Sequence, residues 1–441
     1  MNKNDTIAAI ATAPGVGGIA VVRLSGDEAL PIALRHLTVD HLRPRHTTYC
    51  RFDELDDVVA TYFPCGYTGE PTVELSCHGS LFVQQALLQC LLDDGARLAD
   101  PGEYTMRAFL NGRLDLSQAE AVADLVDAVT PAQHRLAVSQ LRGGYASRLK
   151  ELRQKLLDLT ALLELELDFS QEDVEFADRT QLRRLLSTLR SHLSSLIGSF
   201  QLGNALKQGV PVAITGSPNV GKSTLLNALL QDDRAIVSSI PGITRDTVEG
   251  MLNIGGITFR LIDTAGLRES SDEVELQGIE RSKKAVSEAT VVVDVRDASL
   301  DADPLSGTDH HDGKQHIRVL NKCDLMPAVL SLDGRQCGDT RFVVLSAKTG
   351  MGVENLKQAL VHSVDTRDAD RVLLSNVRHR DALLRVDEAL SHVSQGLDSD
   401  ILADLVAVDL RDALYHLGTI TGDVTSDDLL HNIFSRFCIG K

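Results

Sequence analysis

Apolar positions recur along this chain in two rhythms that divide it into successive stretches. The first, to about Asn111, carries short runs with the period of strands: Ile7 to Ala11, Gly18 to Leu24, Val58 to Phe63 and Val73 to Cys77. One longer run, Ser80 to Asp93, has the spacing of a helix, so this stretch predicts an α+β domain. From Ser117 to Gly203 the rhythm is helical: Leu149, Leu152, Leu156, Leu159 and Leu163 step by 3, 4, 3 and 4 and share one face. Strand-like runs return at Val210 to Thr215, Phe259 to Ile262, Ile317 to Leu320 and Phe342 to Leu345. Leu383, Val386 and Leu390 then restart the helical period, which continues over residues 400–417. An exposed leucine face of that length would invite aggregation. The helices on either side of the middle block are therefore expected to pack together as one discontinuous domain; separate domains for the two halves are the alternative. The expected boundaries are 1–116, 117–206, 207–368 and 369–441.

Composition narrows the class. A chain of 441 residues has room for roughly two to four domains. It lacks Trp, so its cores rest on Leu, Val, Ile and Ala. The net charge of −18 argues against a general nucleic-acid-binding surface, which needs clustered Lys and Arg. Residues 1–115 do not supply one, with 9 Lys and Arg against 15 Asp and Glu. Seven cysteines without CxxC spacing fit reduced thiols in a cytoplasm better than disulfides or structural zinc. The absence of an 18-residue apolar run predicts no membrane span. Gly15-Val16-Gly17-Gly18 is read as a turn joining two strands, because no helix follows it as a dinucleotide fingerprint requires.

Chemistry concentrates in the middle block. Gly216-Ser217-Pro218-Asn219-Val220-Gly221-Lys222-Ser223 is a GxxxxGK[ST] loop between a strand-like run and a helix-like run, Ser223 to Leu230. Its glycines let backbone N–H groups turn toward phosphate oxygens at a helix N-terminus. Lys222 supplies charge to the β- and γ-phosphates, and the Ser223 hydroxyl suits Mg²⁺. Asn321-Lys322-Cys323-Asp324 selects the base: a carboxylate can accept from guanine N1–H and the 2-amino group, and adenine would leave it unpaired. Asp263-Thr264-Ala265-Gly266 places a carboxylate for a Mg²⁺ water and an N–H for the γ-phosphate. Thr244, within Pro241-Gly242-Ile243-Thr244, would complete the metal shell, and Ser346-Ala347-Lys348 closes the set. The order resembles that of a Ras-like P-loop GTPase from Val210 to Ser363, and implies that Val220, Thr224, Ser238, Ser239 and Ile240 also line the GTP site.

Where Ras-like enzymes carry a water-orienting glutamine after DTAG, this chain has Leu267, which can neither donate nor accept. Asn219 matches the asparagine that binds K⁺ in GTPases that dimerise across their nucleotide faces. That resemblance implies a K⁺ held by Asn219, Ser238, Ile240 and Ile243, opposing charge that develops in the transition state. The residues alone leave Glu269, Glu273 and Glu275 equivalent as the water-positioning acid, and the resemblance selects Glu275. Glu275, Asn219 and Lys222 are thus the candidate catalytic groups.

Both ends of the chain extend the resemblance. The opening Asp5-Thr6-Ile7-Ala8-Ala9, the segment Pro14 to Gly26, the signature Pro101 to Leu116 and the terminal Phe437-Cys438-Ile439-Gly440-Lys441 resemble the MnmE (TrmE) family of tRNA-modification GTPases. Era-like and EngA-like GTPases share the nucleotide motifs but neither end. The resemblance implies a folate-binding-like dimerisation domain over 1–116, a helical domain in two parts and an inserted Ras-like G domain. It implies a 5-formyl-tetrahydrofolate-type donor at Arg23, Glu74 and Arg113, with Lys441 reaching in. A carboxylate suits a pterin edge, and cations suit a glutamate tail. The family commonly has Lys where this chain has Arg113. The implied assembly is a homodimer joined by the flavoprotein MnmG (GidA) as a heterotetramer, acting on tRNA in the cytoplasm. A GTP-dependent switch for ribosomes or the envelope, or a folate aminomethyltransferase, would share some of these motifs; the first domain and the tail favour the modification enzyme.

Overall fold

The computed structural model describes residues 5–168, 179–232, 250–262, 285–300, 306, 314–364, 373–398, 403–435 and 437–440, and in it the strand-like runs form two separate sheets. The chain divides into two compact units. One comprises Met1–Asp127, Gln140–Leu186 and Arg385–Lys441; the other comprises Ala128–Ser139 and Ser187–Leu384.

The first unit holds β1 (Ile7–Ile10), β2 (Ile19–Ser25), β3 (Thr47–Phe52), β4 (Asp56–Phe63), β5 (Thr72–His78) and β6 (Arg97–Leu98), in the order β3-β4-β5-β2-β1-β6. β1 and β2 form an antiparallel pair from Ile7↔Ser25 to Ile10↔Val22, so the glycines between them do join two strands. Helices α1 (Ala29–His36) and α2 (Leu81–Asp93) cover one face, where Val22, Leu24, Phe52, Leu75, Leu87 and Leu91 form the core. The hydrophobic rhythm did not reveal α1 or β3. β3 is an edge strand with a largely exposed face, Tyr49 being 71% accessible, so its sequence lacks a clean apolar period.

Beyond the sheet run α3 (Glu103–Leu110), α4 (Leu116–Asp127) and the long α6 (Gly144–Asp168), while α5 (Pro131–Leu141) belongs mainly to the second unit. Leu149, Leu152, Leu156 and Leu159 are all buried, and α6 packs along α12 (Ala403–Thr421). That packing joins a helix from before the middle block to one from after it. The last helix, α13 (Asp427–Phe434), is capped by the Ser426 hydroxyl, which accepts from Leu429 N. Phe434 and Phe437 then pack with Met106, Leu116 and Ala119, which carries the C-terminal tail back to the α+β domain.

The second unit is built on β7 (Val210–Thr215), β8 (Gly250–Ile254), β9 (Ile257–Ile262), β10 (Val291–Asp297), β11 (Gln315–Asn321), β12 (Gln336–Cys337) and β13 (Thr340–Val344). Their order is β12-β13-β11-β10-β7-β9-β8, with β13, β11, β10, β7 and β9 parallel. Val212, Val293, Val295, Ile317, Val319 and Phe259 fill the interior, as expected for strands buried on both faces. Helices α8 (Phe200–Gln208), α9 (Lys222–Asp232) and α10 (Val353–Ser363) pack on the sheet; in chain order α7 (Arg179–Gly198) precedes α8 and α11 (Val377–Asp398) follows α10. The chain crosses from β7 to partners on both sides, so the carboxyl ends of β7, β10 and β11 surround a switch point where ligands bind in such sheets.

Candidate functional site

At that switch point β7 ends at Thr215 and α9 begins at Lys222, leaving a tight loop between them. Three residues of the loop have positive φ, Gly216 at 141°, Asn219 at 62° and Gly221 at 97°. A side chain at Gly221 would also collide with Asn321 Nδ2, so glycine is required there on two grounds. Lys222 folds back over the loop, and its Nζ donates to the carbonyls of Gly216 (2.7 Å) and Ser217 (2.8 Å). Both partners are neutral, and burial pulls the ammonium pKa below its ordinary value. An anion in the loop would therefore gain from both the lysine and the N-terminus of α9. Ser223 and Thr224 lie exposed in the first turn of that helix, and hydroxyl oxygen at that place is suited to Mg²⁺.

The base-recognition motif is tied directly to this loop. Asn321, buried at the end of β11, donates from Nδ2 to Val220 O at 2.8 Å and accepts from Ala347 N at 2.9 Å on Oδ1. Lys322, at φ 63°, donates from Nζ to Asn219 O at 3.0 Å. Two neighbouring side chains of one motif thus hold two consecutive carbonyls of the other. Asp324 is exposed and makes no hydrogen bond among the described residues, so both carboxylate oxygens remain available to a base. Ser346 and Ala347 are buried, with Ser346 Oγ accepting from Thr349 N at 3.4 Å, and Lys348 is exposed.

One contributor was not expected from the sequence. Asp297, at the end of β10, accepts from Lys322 Nζ at 2.6 Å on one oxygen. Its other oxygen accepts from Ser299 N (3.0 Å) and Ser299 Oγ (2.7 Å). Burial opposes its ionisation, but the bonds from Lys322 and Ser299 outweigh that and hold its carboxyl below the usual range. The residues Ser238, Ser239, Ile240, Pro241, Gly242, Ile243, Thr244, Asp263, Thr264, Ala265, Gly266, Leu267 and Glu275 lie outside the described residues. Among the described residues, no group of three or more His, Cys, Asp or Glu gathers as a metal cluster.

A second polar constellation stands on the first unit's sheet. Arg23 of β2 and Glu74 of β5 are register partners, and their side chains form an ion pair at 2.8–2.9 Å. The Arg23 guanidinium lies 5.6 Å from the centre of the buried Tyr104 ring, and Tyr104 Oη donates to Arg23 O at 2.7 Å. Burial pushes the Tyr104 phenol pKa up, which keeps it a donor. Arg113 is exposed, lies with its stem against Gly69, and makes no ion pair among the described residues. Beneath this surface Arg107 bonds Asp5, Glu70 and Glu103, while Arg97 bonds Asp5 and Glu103. The tail closes in from the side. Gly440, at φ 95°, sits so tightly against the Ile10 carbonyl that a side chain there would collide with it. Ile10 pairs with Val22, the neighbour of Arg23. Lys441 itself lies outside the described residues.

Comparison with known proteins matches both units. The family model described as GTP-binding protein TrmE N-terminus matches residues 6–113, and that of the MnmE helical domain matches residues 116–438. A curated relative named tRNA modification GTPase MnmE, from Christiangramia forsetii, is 45% identical over 475 residues, covering 100% of both chains. Another of that name, from Parabacteroides distasonis, is 46% identical over 459 residues, covering 99% of this chain and 100% of its own. Among solved structures, the FeoB G-domain from Methanococcus jannaschii is 26% identical over 35% of this chain and 96% of its own, with a TM-score of 0.23.

Proposed function

Since the chain belongs to the MnmE family of tRNA modification GTPases, and is a GTP hydrolase with a TrmE-type first domain, a helical domain and a Ras-like G domain, we propose the following role. It hydrolyses GTP with K⁺ stimulation and, with a flavoprotein of the MnmG type, forms the 5-carboxymethylaminomethyl or aminomethyl group on the wobble uridine of certain tRNAs. The carbon comes from a bound 5-formyl-tetrahydrofolate-type donor. In this reading 1–116 is the folate-binding and dimerisation domain, 117–206 and 369–441 are the helical domain, and 207–368 is the G domain. The working form is a cytoplasmic homodimer joined by the flavoprotein as a heterotetramer.

The observation that carries the GTPase half of this reading is the clasp of Asn321 and Lys322 on Val220 and Asn219. It joins phosphate and base recognition into one rigid site and leaves Asp324 facing outward for guanine. Lys222 would move from the loop carbonyls toward β/γ-oxygens, and Ser223 with Thr244 would hold Mg²⁺, which neutralises phosphate charge. Asn219, Ser238, Ile240 and Ile243 would hold K⁺, and Glu275 would orient the attacking water where Leu267 cannot. In the first unit the Arg23–Glu74 pair beside the docked tail supports the folate assignment: Glu74 matches a pterin edge, while Arg113 and Lys441 match an anionic tail.

The deciding experiment is mass spectrometry of tRNA nucleosides from cells lacking this chain, complemented with wild type or Asp263→Ala. Loss of the C5-aminomethyl-type uridines, restored by wild type alone, is expected; an unchanged nucleoside profile would remove the modification role. GTP turnover in KCl should exceed that in NaCl at equal ionic strength, and equal rates would remove the potassium mechanism.

A further inference from the structure

Asp297 has no role in the reading above, yet it stands where the two halves of the nucleotide site meet. We propose that Asp297 is a positioning residue for GTP binding and hydrolysis: its carboxylate holds the Lys322 ammonium against the Asn219 carbonyl and so keeps the phosphate loop in register with the base-binding strand end.

Four observations converge on this role. Asp297 faces Asn321 directly across the parallel pair β10–β11, and Ala298 N donates to Asn321 O at 2.9 Å. The two strand ends are thereby locked before any side chain acts. The carboxylate is 6% exposed, so its charge demands compensation, and Lys322 at 2.6 Å supplies it. The same ammonium reaches Asn219 O at 3.0 Å, so one flexible side chain spans strand and loop and is anchored at both contacts. Finally, the two non-glycine residues joined by this bridge, Asn219 and Lys322, both have left-handed backbones, at φ 62° and 63°. Such conformations persist when the surroundings hold them. Asp297 lies at the root of that restraint: strand, carboxylate, ammonium, loop carbonyl.

An ordinary buried ion pair would contribute to folding and leave ligand affinity alone. Here the restrained loop is the one that cradles the phosphates, so affinity should follow the pair. The inference rests on reading Lys322 and Asn219 as nucleotide-site residues, and the experiment separates the two.

The test is a double-mutant cycle on the full chain, read as the Kd of a fluorescent GDP analogue. Asp297→Asn should weaken binding about tenfold, as should Lys322→Met. In the Lys322→Met background, Asp297→Asn should change Kd less than twofold, because the carboxylate acts through the missing ammonium. Ser299→Ala, which removes the other partner of the same carboxylate, should lower Tm while Kd stays within twofold of wild type. Wild-type affinity in a folded Asp297→Asn chain, or a full tenfold loss in both backgrounds, would overturn the proposal. If Lys322→Met binds as wild type, the nucleotide reading of Lys322 fails and the proposal falls with it. Should Asp297→Asn lose its helical circular dichroism, Asp297→Glu decides. It keeps the charge but displaces it by one methylene, and weakened binding by a folded chain supports the proposal. Wild-type Kd, or loss of fold in both variants, overturns it.

Discussion

The side chain of Asn321 donates to the carbonyl of Val220 across 2.8 Å, joining two residues 101 positions apart. Its carbonyl oxygen takes Ala347 N at 2.9 Å, so a single amide links the phosphate loop, the base motif and the loop after β13. Replacing it by Ala would strand a buried acceptor and a buried donor, at a cost of about 1–3 kcal/mol each when unsatisfied. Asn321→Ala should therefore lower the Tm of the nucleotide-free chain and weaken GDP binding together. Loss of affinity with unchanged Tm would contradict this account.

Asp324 presents two acceptors without a partner among the described residues, the complement of guanine N1–H and its 2-amino group. Asp324→Asn keeps the shape but turns one acceptor into a donor, which suits the 2-carbonyl of xanthine. GTP hydrolysis at limiting substrate should fall by on the order of 10²-fold or more, with a gain for xanthosine triphosphate. Competition kinetics with the two nucleotides reads the exchange directly.

Glu74 and Tyr104 both act on Arg23, one through its charge and the other through its ring and a bond to its backbone. Glu74→Gln removes the charge and turns one of the two acceptors assigned to a pterin edge into a donor, and should weaken calorimetric binding of 5-formyl-tetrahydrofolate about tenfold or more. Tyr104→Phe keeps the ring and loses one hydrogen bond, so it should cost about 1 kcal/mol of stability and little affinity.

The first unit should unfold in acid because of Glu103. This carboxylate, 2% exposed, accepts from Arg97 at 2.6 Å, Arg107 at 2.9 Å and Asp100 N at 2.8 Å. Burial alone would raise its pKa, but these partners outweigh burial and hold it below the ordinary value. Asp5, facing the same two arginines, shifts the same way. A depressed pKa contributes stability that is present above the unfolded value, about 4.3 for Glu, and is lost as pH falls through the folded value. Urea midpoints should stay level from neutrality to about pH 5 and decline below about pH 4. Glu103→Gln should lower the plateau by roughly 1–3 kcal/mol, since both arginines keep Asp5 as a counter-ion but a buried, charged acceptor is lost, and make the acid decline shallower.

Gly440 carries the docking of the tail. Ala at φ 95° is strained by about 1–3 kcal/mol, and its methyl would strike the Ile10 carbonyl. Gly440→Ala should release the last residues from β1. Carboxypeptidase digestion should accelerate, and folate affinity should drop if Lys441 contributes to that site. Digestion at the wild-type rate would show that the tail is held elsewhere.

The contiguous part of the site was legible in the sequence because its chemistry requires neighbours in the chain. A phosphate loop needs consecutive N–H groups, and a base motif needs a strand end, so Gly216 to Ser223 and Asn321 to Asp324 announced themselves by spacing. The strands preceding them were legible for a similar reason. Runs such as Phe342 to Leu345 are buried on both faces, and continuous burial demands continuous apolar sequence. The helical stripe of Leu149, Leu152, Leu156 and Leu159 followed from the helical repeat, and all four are buried. Edge strand β3 escaped because the exposed Tyr49 and the polar Thr48 interrupt the alternation that the buried Cys50 and Phe52 would give.

What only the tertiary structure decided is how distant segments meet. Asp297 looks like any acid at the end of a valine run until β10 and β11 pair in register and set it beside Lys322. Tyr104 is one aromatic in a helix until its hydroxyl reaches the Arg23 carbonyl on β2. The tail gains a place only when Phe434 and Phe437 bury themselves against Met106 and Leu116, which brings Gly440 to β1. The physical reason is common to all three. Local spacing encodes which backbone groups one segment can present, whereas ion pairs, stacking and buried contacts between segments depend on distances that chain order does not contain.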